Sequence, residues 1–335
     1  MRIGFHPHKD QIQEETAYTH QIIIPVFIPN HDGYFKDSFA IFKLCLHSLF
    51  ETIHPKTFVT IINNGSDATV VSFLDSLYDN HKIHELIHTQ NIGKLNAILK
   101  GLSGNNIELV TIADSDVLFL PDWQIETNKV FVHFPKAGIV GIVPQYKSYM
   151  TQCHNVLWDN FWKKSMQFIP IKNPKAIEMF YESIGWDPTN PDYLKLALGL
   201  VTPDNFKVYI GSGHFVATYK KNIFNRIITF NGYKMGGNSE RYLDSVHLKK
   251  NYWRLTTHDN YAYHMGNVYE PWMGEVRFEA QQDYDFESNF PVSKKINSVQ
   301  YFLRNHLFRK LFRDDRVKRI FFRLKKLPKE MIPNY

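Results

Sequence analysis

Apolar runs alternate with segments of helical spacing through the first third of the chain. Gln21–Ile28 is β-branched and apolar and closes on Pro29-Asn30; Phe58–Ile62 runs into Asn63-Asn64-Gly65-Ser66-Asp67. Glu85–Thr89 is a weaker run and Glu108–Ala113 a fourth. Between them, Phe39–Phe50, Val70–Leu77 and Leu95–Leu102 place apolar residues three and four positions apart, the spacing of one helix face. Strand followed by helix, repeated, predicts an α/β fold: a Rossmann-like, mostly parallel sheet with helices on both faces. The strands are apolar on both sides, as buried parallel strands must be.

Farther on, Ala137–Pro144 and Val208–Thr218 read as strands and Ser239–Lys250 as a helix, while residues 145–207 loosen in period and carry Trp158, Trp162 and Trp186. The expected organisation is an N-terminal extension over 1–20 and a domain over 21–290, with its halves meeting near 144 and 145. A basic helical appendage follows over 291–335. In that tail Val317, Ile320, Phe321, Leu324 and Leu327 fall on one helical face, with Lys and Arg around them.

Composition narrows the class. At 335 residues, with 44% hydrophobic and 21% charged residues, the chain matches neither disordered nor collagen-like sequences. Two cysteines, Cys45 and Cys153, are too few for a disulfide framework or a four-thiolate zinc site. Met1–Thr19 has no apolar stretch of a secretory signal, and no run approaches the roughly 20 apolar residues of a spanning helix. A soluble, cytoplasmic protein is expected. The net charge of +6 is uneven: residues 293–335 hold thirteen Lys or Arg against three acids, leaving the rest of the chain at −4. Three partners suit such a tail: an anionic membrane surface, the body of the domain or a protein partner, and, least favoured, nucleic acid.

In open α/β sheets ligands bind beyond the carboxyl ends of the strands. Two such ends are polar here, Asn63–Asp67 and Asp114-Ser115-Asp116. Two carboxylates one residue apart suit a hard divalent cation that holds a diphosphate; they equally suit a turn or helix cap. Trp158, Trp162 and Trp186 suit either stacking on sugar faces or core packing. Gly211-Ser212-Gly213-His214 suits a tight bend.

Ile24-Pro25-Val26, the Asn-Asn-Gly-Ser turn, Asn91-Ile92-Gly93-Lys94-Leu95-Asn96-Ala97 and Asp114-Ser115-Asp116 follow one another in an order that resembles glycosyltransferase family 2, of the GT-A fold. The resemblance covers about residues 20–270. It implies a metal-dependent, inverting glycosyltransferase using Mn²⁺ or Mg²⁺ and a nucleotide-sugar donor. The acceptor would be a glycan or lipid-linked molecule, in cell-surface polysaccharide synthesis. That setting implies a peripheral position on the cytosolic face of the membrane, held through the tail. Carried over by residue, Pro25, Asn64, Asp67, Lys94, Asp114 and Asp116 would face the donor. Asp114, Asp116 and His264 would serve the metal. Trp158, Trp186 and His214 would face the acceptor. The family's acidic pair before Gly-Ser is Asn63-Asn64 here, which puts donor choice in doubt.

Placing Leu243 and Asn251-Tyr252 on the family's Leu and Gly-Tyr puts Glu240 at the base position, with Ser239 where an acid is usual and Asp244 as the substitute candidate. His258 is a second late histidine. Two rivals remain in the sequence: a nucleotidyltransferase, which calls for a Gly-rich, Arg-containing loop that Pro25–Gly33 lacks, and a nucleic-acid-binding protein acting through its tail.

Overall fold

Ile22 and Ile24 of the first strand pack with one set of helices and Ile23 with another, and all three are fully buried. That alternation is what a strand covered on both faces requires. The computed structural model describes residues 4–6, 8–12, 16–186, 190–226, 228–236, 238–278 and 284–335, with no side chains for Asn238 and Ser239. Parts of the expected N-terminal extension, and Gly237, therefore lie outside the described residues.

Strands β1 (His20–Val26), β2 (Thr57–Asn63), β3 (Glu85–His88) and β4 (Leu109–Ala113) pair in parallel. Helices α1 (Ser38–Thr52), α2 (Ala68–Asp79) and α3 (Lys94–Gly101) join them. Residues of α1 and α2 pack with Ile22 and Ile24, and those of α3 with Ile23. Then come β5 (Val117–Phe119), α4 (Trp123–His133), β6 (Ala137–Gly141), α5 (His154–Asn160), β7 (Met166–Pro170) and α6 (Pro174–Ser183). After these lie β8 (Leu196–Val201), β9 (Lys207–Ile210), β10 (Val216–Lys220), α7 (Asn238–Ser245), β11 (Trp253–Thr257) and β12 (Ala262–His264).

The main sheet runs β3-β2-β1-β4-β10-β6-β11-β9-β8-β7, and β5 pairs with β12 alone. The α/β expectation holds, but the sheet is mixed rather than mostly parallel: β10 is antiparallel to both β4 and β6, and β7, β8 and β9 are antiparallel as well. The reason lies in the bend inside the expected strand Val208–Thr218. Gly211 has φ +100, and a Cβ there would come within 2.5 Å of the Ser148 carbonyl oxygen. The chain turns at that glycine, which only a residue without Cβ tolerates, and the one expected strand becomes β9 and β10. The helix expected over Ser239–Lys250 likewise ends at Ser245 and tightens into a 3₁₀ turn over Val246–Lys250.

The tail forms α8 (Ser298–Phe302), a π-type turn, α9 (Phe308–Leu311) and α10 (Asp315–Leu324). It is no free appendage. Phe308, Phe312, Phe321, Phe322, Leu327 and Met331 are buried in one cluster with α5, β6, β7, β8 and β9. Lys325, 3% exposed, donates to the Asn160 and Lys163 carbonyls just past α5, and the Tyr335 hydroxyl donates to the Leu196 carbonyl. The predicted apolar stripe is thus divided. Val317, Phe321 and Leu327 face the domain, while Ile320 and Leu324 stay exposed among Arg316, Arg319 and Arg323. Phenylalanines elsewhere in the chain cover half of the stripe, which a helical wheel of the tail by itself does not reveal. No helix among the described residues is long and apolar enough to cross a membrane.

Candidate active site

The parallel strands end on one side of the sheet, and their ends enclose a cavity of about 400 Å³. Pro25 lines it from β1, Asn64 from the end of β2, and Asp114, Ser115 and Asp116 from the end of β4. Phe27, Tyr34 and Phe35 make one wall apolar. Asn64 is nearly buried, and its Oδ1 accepts from the Ile92 N–H at 3.0 Å. That bond fixes the amide, with Nδ2 toward Asn91 Oδ1 at 3.5 Å. Lys234 and Met235 also line the cavity, from the loop that lies over the start of α3. Gly93 permits this approach: its φ is +91, and a Cβ would meet the Tyr233 carbonyl oxygen at 2.7 Å. The Lys94 N–H then donates to Lys234 O at 2.8 Å.

At the floor, Lys94 Nζ stands 2.5 Å from Asp114 Oδ1. Burial pushes the Lys94 ammonium down, but Asp114, with Asp116 and Glu240, outweighs it and holds the ammonium above its ordinary value. Lys94 is charged and neutralises Asp114.

Asp116 meets a different group. The β12–β5 ladder sets His264 opposite Val117, and the Met265 N–H donates to Asp116 O at 2.8 Å. His264 Nε2 therefore lies 3.4 Å from Asp116 Oδ2. The other ring nitrogen, Nδ1, lies 2.8 Å from Ser183 Oγ. Ser183 has one hydroxyl proton and donates it to the Phe180 carbonyl at 2.6 Å. Its oxygen must accept from His264, so Nδ1 carries a hydrogen and Nε2 is the ring nitrogen turned to the carboxylate. Asp116 Oδ1 is buried with no hydrogen-bond partner among the described residues. Burial, with Asp114 beside it, holds the Asp116 carboxyl above the usual range, against the pull of His264 and Lys94. A ring nitrogen meeting a carboxylate, beside an orphaned carboxylate oxygen, is a donor set that fits a cation. Among the described residues no group of three or more His, Cys, Asp or Glu is gathered to hold a metal. The ligands on offer are the Asp116–His264 pair with Asp114 turned to Lys94, a set suited to a cation that keeps waters and substrate phosphates.

On the far side of Lys94 a small hollow is lined by His214, Glu240 and Leu243. His214 Nε2 is 3.7 Å from Glu240 Oε2, and its Nδ1 is 3.4 Å from Asp244 Oδ1. Asp244 is also 2.5 Å from Nη2 of Arg254, whose side chain is 3% exposed. Although burial raises it, Asp244 stays below the usual carboxylate range because of Arg254 and His214. His214 reaches this edge because β10 is antiparallel: the Asp114 N–H donates to Phe215 O at 2.7 Å.

Several expected site residues lie elsewhere. Asp67 caps α2, accepting from the Val70 N–H, and pairs with His31 at 2.6 Å; it does not line the cavity. Trp158 stands edge-on to Phe308 of the tail, and Trp162 is exposed beside Phe161. Both lie beside the tail, and neither lines the strand-end cavity. Trp186 is exposed and parallel to Tyr181, just past the helix end that carries Ser183. His258 is half-buried beside Tyr209, away from Asp116.

Sequence reasoning missed Ser183, Lys234, Met235 and Arg254. Arg254 alone had left a signal, a cation inside the otherwise uncharged strand Trp253–Thr257, which calls for a buried partner.

An α/β sheet with its cleft at the carboxyl ends of parallel strands defines a ligand-binding α/β domain. Residues 26–184 match the model described as Glycosyl transferase family 2. No curated protein matches the chain. Solved structures with a similar fold include S. aureus TarS 1–349 in complex with UDP-GlcNAc, at 12% identity and a TM-score of 0.43, over 77% of this chain and 61% of that one. Another is the mannosyltransferase PcManGT from Pyrobaculum calidifontis in complex with GDP-Man and Mn²⁺, at 16% and 0.42, over 76% and 59%. A third is GalNAc-T7 with UDP, GalNAc and Mn²⁺, at 9% and 0.47, over 80% and 46%. The chain thus spans about three-fifths of the first two and less than half of the third.

Proposed function

We propose that this chain transfers a sugar, with inversion, from a nucleotide-sugar in the strand-end cleft to a glycan or lipid-linked acceptor. The observation that carries the reading is the meeting of Asp116 with Nε2 of His264 beside the cavity. Asp116 and His264, with Asp114 adjacent, would hold Mn²⁺ or Mg²⁺. When bound, the ion supplies positive charge to the departing diphosphate. Lys94 keeps Asp114 from adding a second uncompensated negative charge beside that diphosphate. Glu240 is the proposed base, since its carboxylate is partly open to solvent whereas Asp244 is committed to Arg254. Trp186 and His214 flank the acceptor side.

The outer face of α10 supports a finer reading, contact with an anionic membrane surface. Ile320 and Leu324 are exposed between Arg316, Arg319 and Arg323. Each base near such a surface contributes about 1 kcal/mol. A peripheral position would bring the cleft to a lipid-linked acceptor. The function is tested by calorimetry with a panel of nucleotide sugars, with and without Mn²⁺, followed by assay for released nucleoside diphosphate. Binding and Mn²⁺-dependent release support it; no binding across the panel refutes it.

A further inference from the structure

The acidic neighbour usual before the base is Ser239 here, yet Glu240 is not without help. His214 stands between two carboxylates of α7, with Nδ1 toward Asp244 and Nε2 toward Glu240. Asp244 is itself held in place by Arg254. We infer that Arg254, Asp244 and His214 form a relay that positions the acceptor base and draws the acceptor proton away from Glu240. The inference rests on the glycosyl-transfer reading above.

The geometry assigns each atom. Asp244, fixed and ionised by Arg254, is an acceptor only, so the ring hydrogen facing it sits on Nδ1. Nε2 then presents its lone pair toward Glu240 Oε2. At rest that lone pair opposes the carboxylate charge and leaves Glu240 free to take a proton. In the transfer step the acceptor O–H bond breaks, its proton passes to Glu240, and the oxygen forms the new bond to the anomeric carbon. The bond from that carbon to the diphosphate oxygen breaks, and its electron pair leaves with the diphosphate. Protonated Glu240 can then donate to Nε2, and the imidazolium formed is offset by Asp244. His214 acts through Glu240 and is a positioning residue.

The hollow it lines adjoins the donor cleft, because Lys94 borders both. The charged and titratable groups around His214 are Glu240 and Asp244 of α7, Arg254 of β11 behind Asp244, buried His247 after α7, and Lys94 of α3. His247 is held neutral by burial and by Arg254, its imidazole pushed down to about 3, so it does not compete in the working range.

The test is the pH dependence of kcat for wild-type, H214Q, E240Q and the double variant, with donor affinity and Tm measured on each. H214Q should keep donor affinity and Tm, lose kcat about tenfold to a hundredfold, and show a changed pH profile. The double variant should lose no more than E240Q alone, because both residues handle one proton. An unchanged profile in H214Q, or fully multiplicative losses in the double variant, would overturn the relay while leaving glycosyl transfer intact. A wild-type chain that binds no nucleoside diphosphate would overturn both.

Discussion

Ser183 decides which face His264 shows to Asp116. Because its only proton goes to the Phe180 carbonyl, the histidine must give Ser183 the Nδ1 hydrogen and turn Nε2 to the carboxylate 3.4 Å away. Groups that orient a metal-binding histidine in this way typically contribute tenfold to a hundredfold to metal affinity. S183A should therefore weaken Mn²⁺-assisted nucleotide binding by about tenfold or more while leaving metal-free binding unchanged. Calorimetry with and without Mn²⁺ reads the difference; equal loss in both conditions would point to damage in α6 instead.

Asp116 carries a cost that a functional site can explain. Its unfolded carboxyl ionises near 3.8, whereas burial holds the folded one higher. The folded state is favoured most below the unfolded value, and that advantage is lost as pH rises through the folded value. D116N removes the ionisation, so it should be more stable than wild type near neutrality, with the gain shrinking toward about pH 3.5. Urea midpoints at both pH values check this. A variant less stable at neutral pH would show that the carboxylate is better satisfied than its orphaned oxygen implies.

Two buried histidines set the response to acid. His20 is pushed down to about 3 by burial and His54, and His247 to about 3 by burial and Arg254, from an unfolded value of 6.5. Between those values the unfolded chain binds both protons and the folded chain neither. Their share of stability should therefore fall as pH drops from 6.5 toward 3, by about 1.4 kcal/mol per pH unit for each proton. The slope of unfolding free energy against pH measures it, and H247Q should flatten that slope by about one proton.

Tail packing and tail surface should separate by mutation. F321A empties a fully buried site in the cluster beneath the tail and should cost about 3–5 kcal/mol. I320E with L324E alters only exposed positions and should leave stability nearly unchanged, yet abolish salt-sensitive cosedimentation with anionic vesicles. Wild-type protein that does not sediment with such vesicles, or a variant that sediments equally well, would remove the membrane reading. Truncation before Ser293 should cost the fold itself, because it strips the cluster of Phe308, Phe312, Phe321 and Phe322.

Strand-level order was legible wherever a run is buried by its own helices. Gln21–Ile28, Phe58–Ile62 and Glu108–Ala113 were found within a few residues of β1, β2 and β4, since parallel strands are apolar on both faces and end in polar turns. Asp114 and Asp116 were legible for the same reason, lying just past such a strand. What pairs across long separations was not. Nothing near Val216 indicates that β10 enters antiparallel beside β4, and nothing in the stripe of α10 says that Phe161 and Phe168 await it. Ser183 is one of many serines until the separation of 81 positions from His264 is closed by the fold.

The central claim is that Asp116 and His264 hold a cation that binds a nucleoside diphosphate. The most direct measurement is titration of wild-type and D116N protein with a nucleoside diphosphate panel in Mn²⁺ and in chelator. The account expects at least one diphosphate to bind wild type at least tenfold more tightly in Mn²⁺, and D116N to bind it alike in both conditions. Binding that ignores Mn²⁺ in wild type, or full Mn²⁺ dependence in D116N, would contradict it.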